Sequence, residues 1–310
     1  MTKHPPAENG QTRRPRADDV ASRYHHGCRR RDRGAGRLCE QTPTKASSLM
    51  KHLFDLSGRV ALVAGGGGYL GRPICEALAA HGAAVVVGDV KADAAQAAAD
   101  VVQHQGGAAM ARSLDVSDEA AIRGVLDDAE RELGPVDVLV NCTTYATGRG
   151  LEDLSLDDWQ ACMRVTLGGA FLLSREAGVR MSERGGGSIV HFSSMYGVVS
   201  PDPSMYGDTS APNPPDYGAA KAGVLQLARY QAVMWGPRNV RVNAITPGAF
   251  PNPAGVHGDA GFQERQRQRI PLARVGRSGE IAGAVVYLAS PAASYVTGAN
   301  LVVDGGWTAW

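Results

Sequence analysis

Tyr217 and Lys221 stand four residues apart in Tyr217-Gly218-Ala219-Ala220-Lys221. On a helix that spacing sets both side chains on one face, with the ammonium beside the phenol. The chemistry open to such a pair is proton transfer. A free tyrosine has a pKa of ~10, too high for a base at neutral pH, and a neighbouring positive charge favours the phenolate. Tyr-x-x-x-Lys pairs are also common on helix surfaces, so context decides. Here the pair follows Gly186-Gly187-Ser188-Ile189-Val190-His191-Phe192-Ser193-Ser194, an apolar strand-like run ending in serines.

A second group of residues suits phosphate. Val60-Ala61-Leu62-Val63-Ala64 runs into Gly65-Gly66-Gly67-Gly68-Tyr69-Leu70-Gly71, and Gly66-x-Gly68-x-x-Gly71 matches a dinucleotide-binding fingerprint. Glycines there let backbone N–H groups approach a pyrophosphate, and the start of the following helix adds a favourable dipole. A glycine run alone could be a linker; between a strand and an amphipathic helix it reads as a nucleotide loop. Asp89 closes the next strand-like run. A carboxylate there can accept hydrogen bonds from both ribose hydroxyls and would repel a 2′-phosphate, which favours NAD over NADP. Lys91 works against that preference, and a plain turn residue is the other reading of Asp89.

These groups need a scaffold, and the apolar pattern supplies one. Val/Ile-rich runs at 60–64, 84–89, 109–114, 136–141, 188–193, 239–245 and 299–303 are nearly continuous, as in strands buried on both faces. Leu70, Ile74 and Leu78 repeat at helical spacing over 70–81, with Pro73 in the first turn and Gly82 as the expected C-cap. Ser155 and Asp158 form a capping-box pattern opening a long helix toward Ser182. Alternation of strands and helices predicts an α/β fold, a parallel sheet of about seven strands with helices on both faces. There is no internal repeat and no sign of a second folded domain.

Composition narrows the class. Of 310 residues, 44% are apolar and 20% charged, which is ordinary for a globular domain. No apolar run reaches the ~18 residues a membrane-spanning helix needs. Residues 1–50 hold 11 Lys/Arg against 5 Asp/Glu, with almost no large apolar residue. They are expected to be a disordered, dispensable basic tail before a single domain at 51–310. Met50 stands directly before the first folded-looking segment. The body holds 21 Lys/Arg against 26 Asp/Glu, so its charge makes no case for nucleic acid. Arg13-Arg14 has the form of a twin-arginine signal, but no apolar stretch follows it. His25, His26, Cys28 and Cys39 match no zinc spacing, and no metal site is expected. Five scattered cysteines suit a reducing cytoplasm.

Two further stretches complete a pattern. Val240-Arg241-Val242-Asn243-Ala244-Ile245-Thr246-Pro247-Gly248 reads as a strand and its exit, and Tyr295 to Gly306 as a last strand near the C-terminus. In order and spacing, the glycine loop, Ser194, the Tyr/Lys pair and these segments resemble the short-chain dehydrogenase/reductase family in its single-domain form, over residues 53–310. The resemblance implies a Rossmann-type fold and an NAD(P)-dependent oxidoreductase interconverting a secondary alcohol and a ketone. It implies that Tyr217 is the general acid/base, that Lys221 lowers its pKa and binds the nicotinamide ribose, and that Ser194 bonds the substrate oxygen. Pro247-Gly248 would border the nicotinamide, Asn141 would bind the cofactor, and Asp115-Val116 would border the adenine, although Asp115 could equally be a turn residue. The family packs its long helices across two-fold axes, so a homotetramer is expected, with a dimer as fallback.

The sequence departs from the family pattern at four places. The usual first loop Thr is Ala64, the usual middle glycine is Tyr69, and the segment after the fourth strand reads Asn141-Cys142-Thr143-Thr144. The Asn of the proton relay is Thr166, whose hydroxyl would have to serve instead. An insertion also lengthens the Ser194-to-Tyr217 spacing to 23 residues. Tyr206 within it could be mistaken for the acid/base, but residue 210 is Ser rather than Lys. The insertion, with Tyr196 and Tyr206, and a mobile lid over 249–270, with Phe250, are expected to wall a substrate pocket. The leading reading is a dehydrogenase of a polar hydroxylated small molecule, polyol or sugar-like, with NAD. A 3-oxoacyl-thioester reductase and a non-catalytic dinucleotide sensor are the alternatives.

Overall fold

The computed structural model describes residues 52–206, 212–253 and 260–310. The expected N-terminal tail, residues 207–211 of the insertion and residues 254–259 of the expected lid lie outside the described residues. Seven strands, β1 (Val60–Ala64), β2 (Ala84–Asp89), β3 (Ala109–Ser113), β4 (Val136–Asn141), β5 (Gly187–Phe192), β6 (Val240–Pro247) and β7 (Asn300–Val303), form one sheet. Their order is β3-β2-β1-β4-β5-β6-β7, and every pairing is parallel. Parallel neighbours require crossovers. The eight α-helices among the described residues are α1 (Gly71–Ala80), α2 (Ala92–His104), α3 (Glu119–Glu132), α4 (Leu156–Cys162), α5 (Gly169–Glu183), α6 (Pro215–Trp235), α7 (Ala260–Arg269) and α8 (Ala282–Ala289).

The two faces of the sheet explain the continuous apolar runs. Ala61, Val63, Val85 and Val87 pack with Ile74 and Leu78 of α1, Ala95 and Val102 of α2, and Val285 of α8. Their alternate neighbours Val60, Leu62, Ala64 and Val86 pack with Ile122 and Leu126 of α3, Leu173 and Met181 of α5, and Leu225 of α6. All five residues of β1 are buried because both faces are covered. The strand order reverses between β1 and β4, which opens a crevice at the carboxyl ends of the strands.

Strand and helix ends shift from the sequence expectation by one or two residues, and one helix differs in kind. Ser155 caps α4 as expected: its Oγ accepts from the Asp158 N–H at 3.1 Å and donates to Asp158 Oδ2 at 2.8 Å. The long helix toward Ser182 is nevertheless broken by a π-helical turn at Met163–Gly168. Such wide turns cluster at functional sites, and this one carries Thr166. Gly82, with φ of 96°, closes α1 where side chains are disfavoured.

A third, smaller apolar cluster lies apart from the sheet faces. Met195, Met205, Tyr206, Ala249, Ile270 and Trp307 pack together, with Tyr196 and Phe262 against them. It joins the exit of β5, the insertion, α7 and the C-terminus.

Candidate functional site

The glycine loop leaves β1 with Gly65 at φ 79°, a conformation that L side chains rarely adopt. Its tightest point is Gly71, where a Cβ would fall inside the Gly65 carbonyl oxygen and 2.7 Å from Gly66 Cα. The helix can therefore start against the loop only with glycine there. The Gly67 N–H donates to Asp89 Oδ2 at 3.2 Å, and the Lys91 N–H to Asp89 Oδ1 at 3.0 Å. Asp89 thus joins the end of β2 to the loop. Gly68 is exposed and Tyr69 half-buried, while Leu70 packs against the first core cluster. No side chain caps α1, so its first-turn N–H groups and dipole are available to a phosphate. A glycine cradle, an uncapped helix start and a carboxylate at the neighbouring strand end fit a dinucleotide.

The other expected cofactor residues occupy neighbouring strand exits. Asp115 Oδ1 accepts from Ser117 N and Oγ, both at 2.8 Å, and these bonds hold its carboxyl below the usual range. The cap of α3 is Asp118, which accepts from the Ala120 N–H at 2.8 Å. Val116 packs so closely on α5 that a Cβ at Gly169 would lie 2.6 Å from Val116 Cγ2. Asn141 Oδ1 accepts from Thr143 N at 3.1 Å and Oγ1 at 2.7 Å, which shapes the exit of β4. Pro247 ends β6, and the Gly248 N–H donates to the Val303 carbonyl at 3.0 Å.

Beside the loop, β5 and α6 bring Ser194, Tyr217 and Lys221 together. Ser193 Oγ donates to the Lys221 carbonyl at 2.9 Å and ties α6 to the strand end. Ser194 Oγ accepts from the Tyr196 N–H at 3.2 Å. Lys221 Nζ lies 5.8 Å from the centre of the Tyr217 ring. It donates to the Phe192 carbonyl at 2.8 Å and to the Thr143 carbonyl at 3.3 Å. Burial lowers Lys221 to about 8. Burial also raises Tyr217, against a Ser194 hydrogen bond that pulls it down. In the protein alone, desolvation outweighs the Ser194 hydrogen bond, and Tyr217 is held as a phenol.

Thr166, expected to serve in the proton relay, binds the segment after β4. Its hydroxyl accepts from the Tyr145 N–H at 2.9 Å and donates to the Tyr145 carbonyl at 3.0 Å. It therefore pins the segment after β4, whose Thr143 carbonyl receives Lys221. Asp216, fully buried, accepts from the Tyr217 N–H at 2.8 Å. His191 Nε2 and Gln231 Oε1 are 3.1 Å apart, and Gln231 Nε2 donates to Ser174 Oγ at 2.7 Å, linking β5, α6 and α5. Burial takes His191 down to about 4, so this network is neutral. The sequence reading did not single out either feature.

A cleft of about 590 Å³ lies at the start of α6, between the loop at 150–153 and the two ends of the insertion, with Tyr196, Gly218 and Ala219 in its wall. The Tyr196 and Tyr206 hydroxyls are 2.7 Å apart. Tyr206 turns into the third cluster, 5.2 Å from the Phe262 ring. Phe250 lines a separate cavity of about 190 Å³ and lies against Gly276. Within the expected lid, helix α7 is joined to the insertion by Arg269–Asp202 at 3.3 Å and by Arg265 Nε donating to the Met205 carbonyl at 2.6 Å. Among the described residues, no helix is long and apolar enough to cross a membrane, and no group of three or more His, Cys, Asp or Glu is placed to hold a metal.

A dinucleotide loop and a buried Ser/Tyr/Lys cluster at one end of a doubly wound sheet define a pyridine-nucleotide oxidoreductase. A family model described as "Enoyl-(Acyl carrier protein) reductase" matches residues 68–308. D-threitol dehydrogenase of Mycolicibacterium smegmatis is 36% identical over 256 residues, 82% of this chain and 95% of the relative. Galactitol 2-dehydrogenase (L-tagatose-forming) of Cereibacter sphaeroides is 39% identical over 269 residues, covering 83% and 98%. The crystal structure of a gluconate 5-dehydrogenase from Burkholderia cenocepacia, in complex with NADP and tartrate, superposes with a TM-score of 0.75 at 32% identity, covering 83% and 98%. The chain belongs to the short-chain dehydrogenase/reductase family, whose members are NAD(P)-dependent oxidoreductases acting on CH–OH groups.

Proposed function

We propose that this chain is an NAD-preferring dehydrogenase of a polar, hydroxylated small molecule, interconverting a secondary alcohol and its ketone. The observation that carries the reading is the buried Ser194–Tyr217–Lys221 cluster beside a cleft walled by Tyr196. Ser194 Oγ holds the substrate oxygen, Tyr217 Oη gives or takes its proton, and Lys221 Nζ, held by two carbonyls, orients the nicotinamide ribose. The nicotinamide, when bound, supplies the hydride chemistry. D-threitol and galactitol, named for two relatives, are polyols and suit a cleft with a tyrosine hydroxyl in its wall. Absorbance at the nicotinamide band with NAD and a panel of C4–C6 polyols tests this. Turnover of several polyols is expected, and silence across the panel, with NAD and NADP alike, would refute it.

The cofactor preference rests on Asp89. NADP in the gluconate 5-dehydrogenase shows that the phosphorylated cofactor suits a relative. Here a carboxylate tied to Gly67 stands at the end of β2, where a 2′-phosphate would meet like charge. NAD is expected to be better than NADP by at least about tenfold in kcat/KM, since hydrogen bonds to a charged acceptor contribute ~1.5–3 kcal/mol each. Asp89→Ala should narrow the gap, and equal efficiency of the two cofactors in the unaltered protein would overturn the assignment.

Assembly into a homotetramer is supported by large apolar side chains exposed on two long helices. Phe171 and Val179 of α5 are 44% and 43% exposed, and Tyr230 and Val233 of α6 are 63% and 75% exposed. Apolar patches of this kind mark interfaces. Light scattering at micromolar concentration is expected to give about four times the 32.5 kDa chain mass; a value near one chain rules assembly out. A reducing cytoplasm suits the free thiols of Cys75, Cys142 and Cys162.

A further inference from the structure

We infer that the cleft selects an uncharged, hydroxyl-rich substrate and rejects carboxylated or phosphorylated ones; this deepens the dehydrogenase reading and rests on it. Two independent features of the cleft carry the inference. The first is its charge. The charged side chains lining it are Glu152 and Asp153, both exposed on the loop after β4. The described part of the insertion adds Asp202, paired with Arg269, and residues 201–216 contain neither Lys nor Arg. Nearby cations are engaged with groups of the protein. Arg149 Nε lies 3.1 Å from Asp158 and Arg269 3.3 Å from Asp202, while Arg265 donates to the Met205 carbonyl. An anionic substrate would therefore meet carboxylates without a cation dedicated to it, and like charges raise the free energy of its approach.

The second feature is an acceptor that needs a donor. Asn213 lines the same cleft, and its amide oxygen is buried with no hydrogen-bond partner among the described residues. A buried acceptor left unpaired is unfavourable, and a ligand that supplies its proton removes that cost. A hydroxyl can donate to Asn213 Oδ1, whereas an ionised carboxylate or phosphate is an acceptor only. Tyr196 lines the same wall, and its hydroxyl, 2.7 Å from that of Tyr206, can donate and accept, which again suits hydroxyl groups. The Asn213 acceptor calls for a hydroxyl-bearing ligand and the charge for an uncharged one, which together point to neutral polyols and their ketoses, with aldonates, sugar phosphates and phosphopantetheine thioesters disfavoured by their charge. The chain would then differ in substrate charge from the gluconate 5-dehydrogenase that shares its fold.

The test uses matched pairs of probes: C4–C6 polyols, including galactitol, each beside its aldonic acid, such as galactonate, with NAD and the full chain. The neutral member of each active pair is expected to have kcat/KM at least tenfold above its acid. Raising the ionic strength should shrink that ratio, because exposed charges are screened. Glu152→Gln with Asp153→Asn should shrink it at least threefold at low salt. Asn213→Ala should raise KM for the polyol more than it lowers kcat. Equal efficiency for acid and polyol, or a ratio indifferent to both salt and the double substitution, overturns the inference while leaving the dehydrogenase reading intact. Activity on aldonates without activity on polyols overturns it as well. Silence with every polyol and every aldonate refutes the dehydrogenase reading and this inference with it.

Discussion

Tyr217→Phe is expected to lower turnover by ~10²–10⁴ while leaving cofactor binding and the melting temperature nearly unchanged. The substitution removes one hydroxyl and little volume. The contacts proposed to hold the dinucleotide do not involve it: the Asp89–Gly67 bond and the two carbonyl bonds of Lys221 remain. What disappears is the proton carrier beside Ser194. In the protein alone, burial keeps that proton on Tyr217, ready for a ketone oxygen. Oxidation of an alcohol needs the opposite state, so its rate should rise with pH, and reduction should fall over the same range. The midpoint belongs to the coupled Tyr217/Lys221 pair rather than to either residue. Fluorescence titration with NADH, beside steady-state rates in both directions, checks each part. Near-full activity of Tyr217→Phe on a proven substrate would remove Tyr217 from the mechanism.

Lys221→Met should abolish most turnover and weaken NAD binding as well, a double loss that separates it from Tyr217→Phe. The substitution should also leave a signature in stability. Burial moves Lys221 from 10.5 to about 8, so between these values the native state has released a proton that the unfolded chain still binds. Stability then rises with pH across that window, and the contribution is lost as pH falls through about 8. The full effect is on the order of 3 kcal/mol, and Met at this position abolishes it. Urea titrations of both proteins at several pH values from neutral to about 10 should show the wild type gaining on Lys221→Met as the medium becomes more alkaline. Parallel curves would mean that Lys221 titrates normally and is not desolvated.

The sheet was legible because both of its faces are covered. Runs such as Val60–Ala64 and Val136–Asn141 have no polar side to confuse their period, and all seven expected strands are present. The triad of Ser194, Tyr217 and Lys221 was legible for another reason: each has a side chain whose chemistry is specific. The acceptors of Lys221 were not, because Phe192 and Thr143 contribute backbone carbonyls, which every residue possesses. The π-turn at Met163–Gly168 left no clear mark on the apolar pattern, because the small residues Gly168-Gly169-Ala170 blur the helical period there. Thr166 was singled out by the family resemblance, and its bonds to the Tyr145 backbone were not legible because they use groups that every residue possesses. Phe250 was placed in the pocket by its position after β6, and the chain instead turns its ring onto Gly276. Direction after a strand exit depends on loop conformation, which residue types do not encode.

The third apolar cluster gives the mouth of the site a foundation separate from that of the sheet. Met195, Met205, Tyr206, Ile270 and Trp307 rest mainly on one another, so changes there draw on a different reserve of stability from changes beneath β1 or β5. On the proposed function, such an arrangement makes specificity evolvable: the segments around the cleft can drift while the sheet stays fixed. It also sets the unit of exchange for engineering. Among the described residues, 195–206, Ala249, 262–275 and the stretch around Trp307 pack together, and a donor's specificity should transplant only when they travel together.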